Sequence, residues 1–216
     1  MTTRWLRRFV VTVAILLICA VIVAVPAVHT PILRGAGQLL VVDEAVQPAD
    51  IIVLTVDAGG AGVLEAADLV HRGISTRVAV FADPPNDVDR EFSRRDIAYE
   101  DDAAQSIRLL KSLGVTSVEA IPMAVDGTDD EVAVLPVWSA QHQYRSVIVV
   151  GTSDHSRRLR RMLGRVMEGQ PTRVTVRYSR YSQFDPDRWW QTRSGARTGI
   201  IELEKLLLDI VRHPLS

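Results

Sequence analysis

The chain lacks the residues that would brace a fold covalently or through a metal. Its 216 residues include one cysteine, Cys19. A single thiol excludes an intramolecular disulfide and any zinc site built from several cysteines. The sequence also has no HExxH motif and no paired histidine–carboxylate spacing, so it predicts no metal site. The fold therefore depends on its hydrophobic core.

An excess of positive charge is absent as well. The 25 Lys and Arg residues are balanced by 26 Asp and Glu residues. Arg4, Arg7 and Arg8 precede a long apolar segment, and the rest of the chain is net acidic. An acidic domain has no general attraction to a phosphate backbone, so nucleic acid is not an expected partner. The sequence points to no cofactor.

A long uncharged run occurs near the N-terminus. Residues 9–25 carry no charged side chain, and the apolar run extends to Val28. About 20 helical residues span roughly 30 Å, the thickness of the bilayer hydrocarbon. The preceding arginines favour a cytoplasmic location for residues 1–8. Residues 9–28 therefore predict a single-pass anchor in the inner (plasma) membrane, with the lipid bilayer as partner and the following domain outside the cytoplasm.

Three other interpretations of this segment remain open. A cleaved signal peptide needs small residues before its cut site, and Val25-Pro26-Ala27 is a poor match. A lipoprotein signal would use Cys19, but Ile18 stands where a small residue is expected. A buried helix is the third.

After a connector at residues 29–47, residues 48–216 alternate between short apolar runs and longer mixed segments. The apolar runs predict strands at residues 50–56, 77–82, 117–122, 147–150 and 172–178. The segments between and after them predict helices at 63–72, 101–113, 129–143, 155–168 and 198–212, with a surface loop at 83–99. Continuous apolar strands separated by helices are typical of a parallel sheet covered on both faces. With right-handed crossovers, the pattern predicts an α/β, Rossmann-like three-layer sandwich.

The junction between the fourth strand and its helix is the leading candidate site. Thr152 and Ser153 supply turn residues, and His155 and Arg158 lie one turn apart at the helix start. Ligands of open α/β folds bind where strand ends meet helix N-termini, because free N–H groups and the helix dipole favour anions. His155 is then a candidate acid/base or phosphate ligand and Arg158 an anion clamp. The alternative is a basic helix whose arginines face water or anionic lipid headgroups.

A glycine-rich segment follows the first predicted strand. Gly59 and Gly60 would let the backbone approach a ligand closely. The spacing is not GxGxxG, however, and Asp83 is the nearest acid after the second strand. A tight turn is therefore favoured over a dinucleotide site.

Two further pairs have both a structural and a functional interpretation. Thr128 and Glu131 have capping-box spacing at the start of a predicted helix. Facing the crevice beside His155, they would instead bind ligand and share acid/base work. Glu202 and Lys205 are three residues apart on a helix, which favours an ion pair.

In their order along the chain, these features resemble the YdcF/SanA/ElyC-like family, a bacterial domain of unknown function. The matching positions are Ala49 to Leu54, Ala66, Leu69, Gly73, Thr128, Asp130, Glu131, Thr152, Ser153, His155, Arg158, Trp189, Trp190, Glu202 and Lys205. The resemblance spans about Gln38 to Val211, and Gly62 stands where the family has an arginine. It implies a Rossmann-like fold, a link to envelope or peptidoglycan processes and, for one member, binding of S-adenosylmethionine. It also places Glu202 in the ligand-binding set.

Three functional hypotheses follow. The first is a membrane-anchored envelope protein that binds an anionic small molecule, such as a phosphorylated or lipid-linked precursor. The second is a degenerate, non-catalytic interaction module. The third is a nucleotide or S-adenosylmethionine binder, which requires the domain to be on the cytoplasmic side.

Overall fold

The computed structural model describes residues 5, 7–14, 25–82, 85–97, 100–124 and 127–214, with backbone only at 122–124. Its helices from residue 25 onward are α1 (Pro26–Leu40), α2 (Gly59–His71), α3 (Asp87–Arg94), α4 (Asp102–Ser112), α5 (Thr128–Gln141), α6 (Ser156–Val166) and α7 (Arg193–Arg212). The strands are β1 (Ile51–Leu54), β2 (Arg77–Ala82), β3 (Ser117–Ala124), β4 (Ser146–Gly151) and β5 (Arg173–Tyr178). Short 3-10 turns precede α2, α6 and α7 at Val56–Ala58, Ser153–His155 and Trp189–Gln191. Asp83 lies outside the described residues.

The five strands form a parallel sheet in the order β3-β2-β1-β4-β5. The chain builds outward from β1 to β3 and then returns to add β4 on the other side of β1. The ends of β1 and β4 are in register, with Leu54 opposite Val150. The predicted α/β, Rossmann-like fold is therefore confirmed, and its strand order reverses between β1 and β4.

Helices cover both faces of this sheet, which explains why the strands are apolar along their whole length. The four residues of β1 are all buried. Alternate strand side chains point to opposite faces. On one face, α2 and α4 contribute Val63, Ala66, Leu69, Ala103 and Leu110 to the core. On the other, α5 and α6 contribute Val132, Leu135, Trp138, Leu159, Met162 and Leu163.

A smaller third cluster joins α1 to α7 at the side of the sandwich. It contains Leu40, Phe184, Trp189 and Leu206. The indole of Trp189 donates a hydrogen bond to the Leu33 carbonyl at 2.7 Å. Gly199 faces the same ring, where a Cβ would collide with it. The cluster fixes α1 against the domain.

The described part of the proposed membrane anchor, which includes the start of α1, does not support the predicted location of the protein. α1 begins within the proposed anchor, at Pro26, but its 15 residues reach only about 22 Å and include His29 and Arg34. Residues 7–14 are also helical, and residues 15–24 of the proposed anchor lie outside the described residues. Across the described residues, no helix is both long enough and apolar enough to cross a bilayer. This finding contradicts the predicted single-pass inner-membrane location.

Two helix starts also differ from expectation. The predicted tight turn at Gly59 and Gly60 is the first turn of α2 itself. Gly127, not Thr128, is the residue before α5, and the expected capping box does not form because the Glu131 carboxylate accepts a hydrogen bond elsewhere. α2 begins at Gly59 after Ala58 and α5 begins at Thr128 after Gly127, so in neither place does the preceding residue have a side chain that could cap the helix.

Candidate functional site

The carboxyl ends of β1 and β4 form a polar crevice where the strand order reverses. Beyond β1 come Thr55 and Asp57, and beyond β4 come Thr152 and His155. α2 leaves the sheet on one face and α6 on the other, so the two connecting segments separate above the strands. Open α/β sheets bind ligands at this point because no helix covers it.

A buried histidine connects the two sides of the crevice. The His155 ring is 2% exposed, and its Nδ1 lies 3.0 Å from Asp57 Oδ2 and 2.8 Å from Thr152 Oγ1. The Thr55 hydroxyl donates to the other oxygen of Asp57 at 2.6 Å. Gly151 packs beside the ring, with His155 Nε2 only 3.5 Å from where its Cβ would stand. His155 therefore ties the segment after β4 to the segment after β1.

The surrounding charges favour the imidazolium form. Burial alone would lower the pKa of His155, but the carboxylates of Asp154 and Asp57 outweigh it and raise that pKa to about 10. Burial opposes ionisation of Asp57 too, yet the hydrogen bond and charge of His155 hold the Asp57 pKa below its usual value. The same balance lowers the pKa of Asp154. The raised pKa favours the imidazolium at neutral pH, and its Nδ1 faces both carboxylates, at 3.0 Å from Asp57 and 3.9 Å from Asp154.

His155 positions other groups instead of facing the crevice. Its Nε2 is buried and has no hydrogen-bond partner within the described structure. By contrast, 45% of the Asp57 side chain is exposed, and Thr152 is half-buried. The side chains that can touch a ligand here are those that the ring holds. A catalytic role for His155 stays a prediction.

Two cavities flank the first turn of α2 and share Gly60 in their walls. The larger crevice cavity has a volume of about 660 Å³ and lies on the β4 side. Its lining includes Asp57, Gly60, Ala61, Thr152, Asp154, Ser182, Thr192, Ser194 and Thr198. The smaller crevice cavity, of about 300 Å³, lies on the β2 side. It is lined by Leu54, Thr55, Val56, Gly59, Gly60, Val80, Phe81, Asp102, Gln105, Ser106 and Leu109.

The glycines of α2 keep this turn accessible. Gly59 has a φ of +47°, which other residues rarely adopt. A Cβ at Gly60 would meet no atom within 4 Å, so the space in front of it is open. Gly62 differs, because a Cβ there would lie 2.5 Å from that of Ala58. The close packing of α2 on its preceding turn therefore excludes an arginine at position 62, where the YdcF-like family has one.

Two predicted site residues hold the crevice together. Ser153 is buried, and its hydroxyl bonds to Ser182 Oγ at 2.9 Å and donates to the Phe184 carbonyl at 3.0 Å. Glu131 is also buried, and its carboxylate accepts a hydrogen bond from the Val56 amide at 2.5 Å. Ser153 anchors the wall of the larger cavity, and Glu131 anchors the segment after β1.

The arginines of α6 all bind groups within the protein, unlike those of a basic helix that only faces water or lipid headgroups. Arg158 pairs with Glu202 at 3.2 Å, and Arg160 pairs with Glu44 at 2.7 Å. The remaining partners are the carbonyls of Leu39 and Val41 for Arg157, and Asp209 for both Arg161 and Arg165. The helix carries five arginines because it faces acidic and carbonyl groups on α1, on α7 and after α1.

Thr128 and Arg158 both line a third cavity, which is separate from the crevice. Together with the end of α7 they line a cavity of about 400 Å³, called here the cationic cavity. Its wall consists of Gly127, Thr128, Asp129, Arg158, Met162, Arg165, Lys205, Leu208, Asp209, Arg212 and His213. The predicted ion pair of Glu202 with Lys205 forms beside it, at 2.7 Å. The structure thus divides the predicted ligand-binding residues between two places.

Asp57 is the functional residue that no sequence motif singled out. It is the first carboxylate after β1, so its position at the carboxyl end of a strand was the available signal. Its pairing with His155 depends on β1 and β4 being neighbours, which no local pattern reveals. The described residues contain no group of three or more His, Cys, Asp or Glu side chains arranged to hold a metal ion.

The chain matches no protein-family model and no curated protein. Among solved structures it is similar to HcgE from Methanothermobacter marburgensis, bound to guanylylpyridinol and ATP, at 14% identity over 62% of each chain with a TM-score of 0.32. Pantothenate synthetase from Thermus thermophilus gives 16% identity over 69% of this chain and 59% of that one, with a TM-score of 0.35. The reductase domain of an aureusimine biosynthetic cluster gives 15% identity over 57% of this chain and 40% of that one, with a TM-score of 0.26. The chain covers less than two thirds of each of these proteins, and none of these similarities assigns a function.

Proposed function

We propose that the domain binds a nucleoside-type ligand that lies across the first turn of α2. The observation that carries the proposal is the position of Gly60, whose open face borders both crevice cavities. One ligand can pass over this residue and occupy both cavities. This corresponds to the nucleotide or S-adenosylmethionine hypothesis more closely than to an anionic envelope metabolite.

The smaller crevice cavity suits a flat heterocyclic base. Its apolar walls are formed by Leu54, Val80, Phe81 and Leu109. Its polar groups come from Thr55, Asp102, Gln105 and Ser106. An apolar slot with a few polar groups is the usual environment of a bound base.

The first turn of α2 suits the sugar or its substituent. The first N–H groups of a helix have no partner within the helix. In α2 the first two belong to Gly59 and Gly60, which carry no side chain that could cover them. Close backbone approach is possible at Gly60 because nothing lies within 4 Å of its missing Cβ.

The larger crevice cavity selects against a chain of phosphates. Asp57 and Asp154 carry two negative charges toward it, and His155 balances one of them. Hydroxyl groups of Thr152, Ser182 and neighbouring residues complete the lining, whose described residues include no Lys or Arg. Carboxylates accept hydrogen bonds from sugar hydroxyls and attract cationic groups, but they repel phosphate. The part of the ligand in this cavity is therefore a hydroxyl-bearing or cationic group.

Calorimetric titration of the full chain with adenosine, S-adenosylmethionine and ATP tests the proposal. We expect adenosine and S-adenosylmethionine to bind saturably and ATP to bind more weakly. Gly60→Glu should weaken binding on the order of tenfold or more, since a side chain would then occupy the space above α2. Its carboxylate lies near a helix N-terminus, so folding should be unaffected.

Gly35→Glu is the matched control, because the Cβ of Gly35 also meets nothing within 4 Å and that residue lies in α1. Equal effects of the two substitutions, or no binding of any of the three probes, would overturn the proposal.

A further inference from the structure

The structure assigns a second binding site to the cationic cavity, for the phosphate group of a small phosphomonoester. This site is independent of the nucleoside-type site, because the two sets of lining residues share no member. The cavity lies between the first turn of α5, the exposed side of α6 and the last two turns of α7.

Basic groups outnumber acidic groups around this cavity. Two carboxylates, that of Asp209 in its wall and that of Glu202 beside it, are each shared by two cations. Glu202 accepts from Arg158 at 3.2 Å and from Lys205 at 2.7 Å. Asp209 accepts from Arg161 at 2.6 Å and from Arg165 at 2.5 Å. One cation neutralises one carboxylate, so the cluster of Arg158, Lys205 and Glu202 keeps a net positive charge.

The cationic side chains around the cavity are more exposed than the carboxylates that they contact. The carboxylates of Glu202 and Asp209 are 9% and 8% exposed, whereas the Lys205 side chain is 50% exposed. Arg212 is exposed at the rim. An incoming anion thus meets the ammonium and guanidinium groups before the buried carboxylates. Among the described lining residues, the exposed acid is Asp129, in the first turn of α5.

Among the described residues that line the cavity, four are cationic and two are acidic. The cations are Arg158, Arg165, Lys205 and Arg212, and the acids are Asp129 and Asp209. Arginine and lysine side chains are the usual ligands of phosphate.

The size and walls of the cavity indicate more than an inorganic ion. A volume of about 400 Å³ exceeds what a phosphate ion fills, and Met162 and Leu208 supply apolar surface. The chemistry fits a phosphate group carried on a small organic molecule.

The test is phosphate-dependent stability of the full chain. Inorganic phosphate and glycerol 3-phosphate are titrated at constant ionic strength against sodium chloride, and the thermal midpoint is followed. Both phosphates should raise the midpoint saturably above that in chloride, with glycerol 3-phosphate acting at lower concentration. The double substitution Lys205→Gln with Arg212→Gln should abolish the increase.

Arg193→Gln with Arg197→Gln is the matched control, since it removes two exposed cations from the other end of α7. An identical phosphate effect in both double variants, or no effect beyond chloride in the unchanged protein, would refute the site.

If the first double variant does not fold, Asp129→Asn decides. Removing the opposing carboxylate should tighten phosphate binding several-fold, and an unchanged affinity would overturn the proposal.

Discussion

The crevice and the cationic cavity both combine carboxylates with basic side chains, but they carry opposite net charge. In the crevice, the His155 ring, whose raised pKa favours the imidazolium, faces two carboxylates through Nδ1. In the cationic cavity, each of two carboxylates lies between two cations. In both places the group in the minority is the most buried, while one member of the majority, Asp57 or Lys205, is about half exposed. The sign of a site in this protein therefore follows from which charge the fold buries.

The largest expected loss of stability comes from removing a buried carboxylate beside the cations of the cationic cavity. Asp209→Asn leaves Arg161 and Arg165 partly buried beside a neutral amide, and their attraction had held the Asp209 pKa low against the effect of burial. Losing one partner of a buried ion pair costs about 3 kcal/mol or more. Urea unfolding at pH 7 measures this loss. Asp87→Asn, at an exposed pair with Arg90, should cost under about 0.5 kcal/mol.

Similar losses would mean that the buried carboxylate of Asp209 does not organise the cations around it.

Removing the His155 ring from the crevice should cause a loss of stability that depends on pH. The pKa of His155 is raised in the folded protein to about 10, above its ordinary value of 6.5. A raised pKa contributes stability that is complete below pH 6.5 and is lost as the pH rises through 10. His155→Gln should therefore cost on the order of 3 kcal/mol at pH 6 and progressively less toward pH 10.

Urea unfolding across pH 5.5–10 measures this difference, with His71→Gln, at an exposed histidine of α2, as the matched control. A His155→Gln loss that stays constant over this range would show that the ring contributes packing and not charge.

The sequence reveals much of the fold and less of the sites. The bounds of β2 match the prediction in full, because a continuous apolar run is enough to define a buried strand. The glycine-rich segment is harder to predict, since glycine is a poor helix former and the residues of α2 that pack on the sheet, such as Val63 and Ala66, come later in the helix. The pairs of His155 with Asp57 and of Arg161 with Asp209 join residues far apart in the chain. Such pairs depend on strand order and on where α7 returns, which local periodicity does not contain.

The smallest expected loss of stability comes from removing one of the two cations that share Glu202. In Lys205→Gln, Glu202 keeps its ion pair with Arg158, and the lost ammonium group was half exposed. A pair of this kind contributes about 0.5 kcal/mol or less, and the change also relieves repulsion from the neighbouring cations. Arg158→Gln should cost more, because the Arg158 side chain is 12% exposed and packs against the Met162 sulfur as well. Urea unfolding of both variants at low and high salt measures the contrast. A loss at Lys205 equal to that at Arg158 would mean that Glu202 needs both cations, and the positive charge assigned to the cavity would then not be in excess.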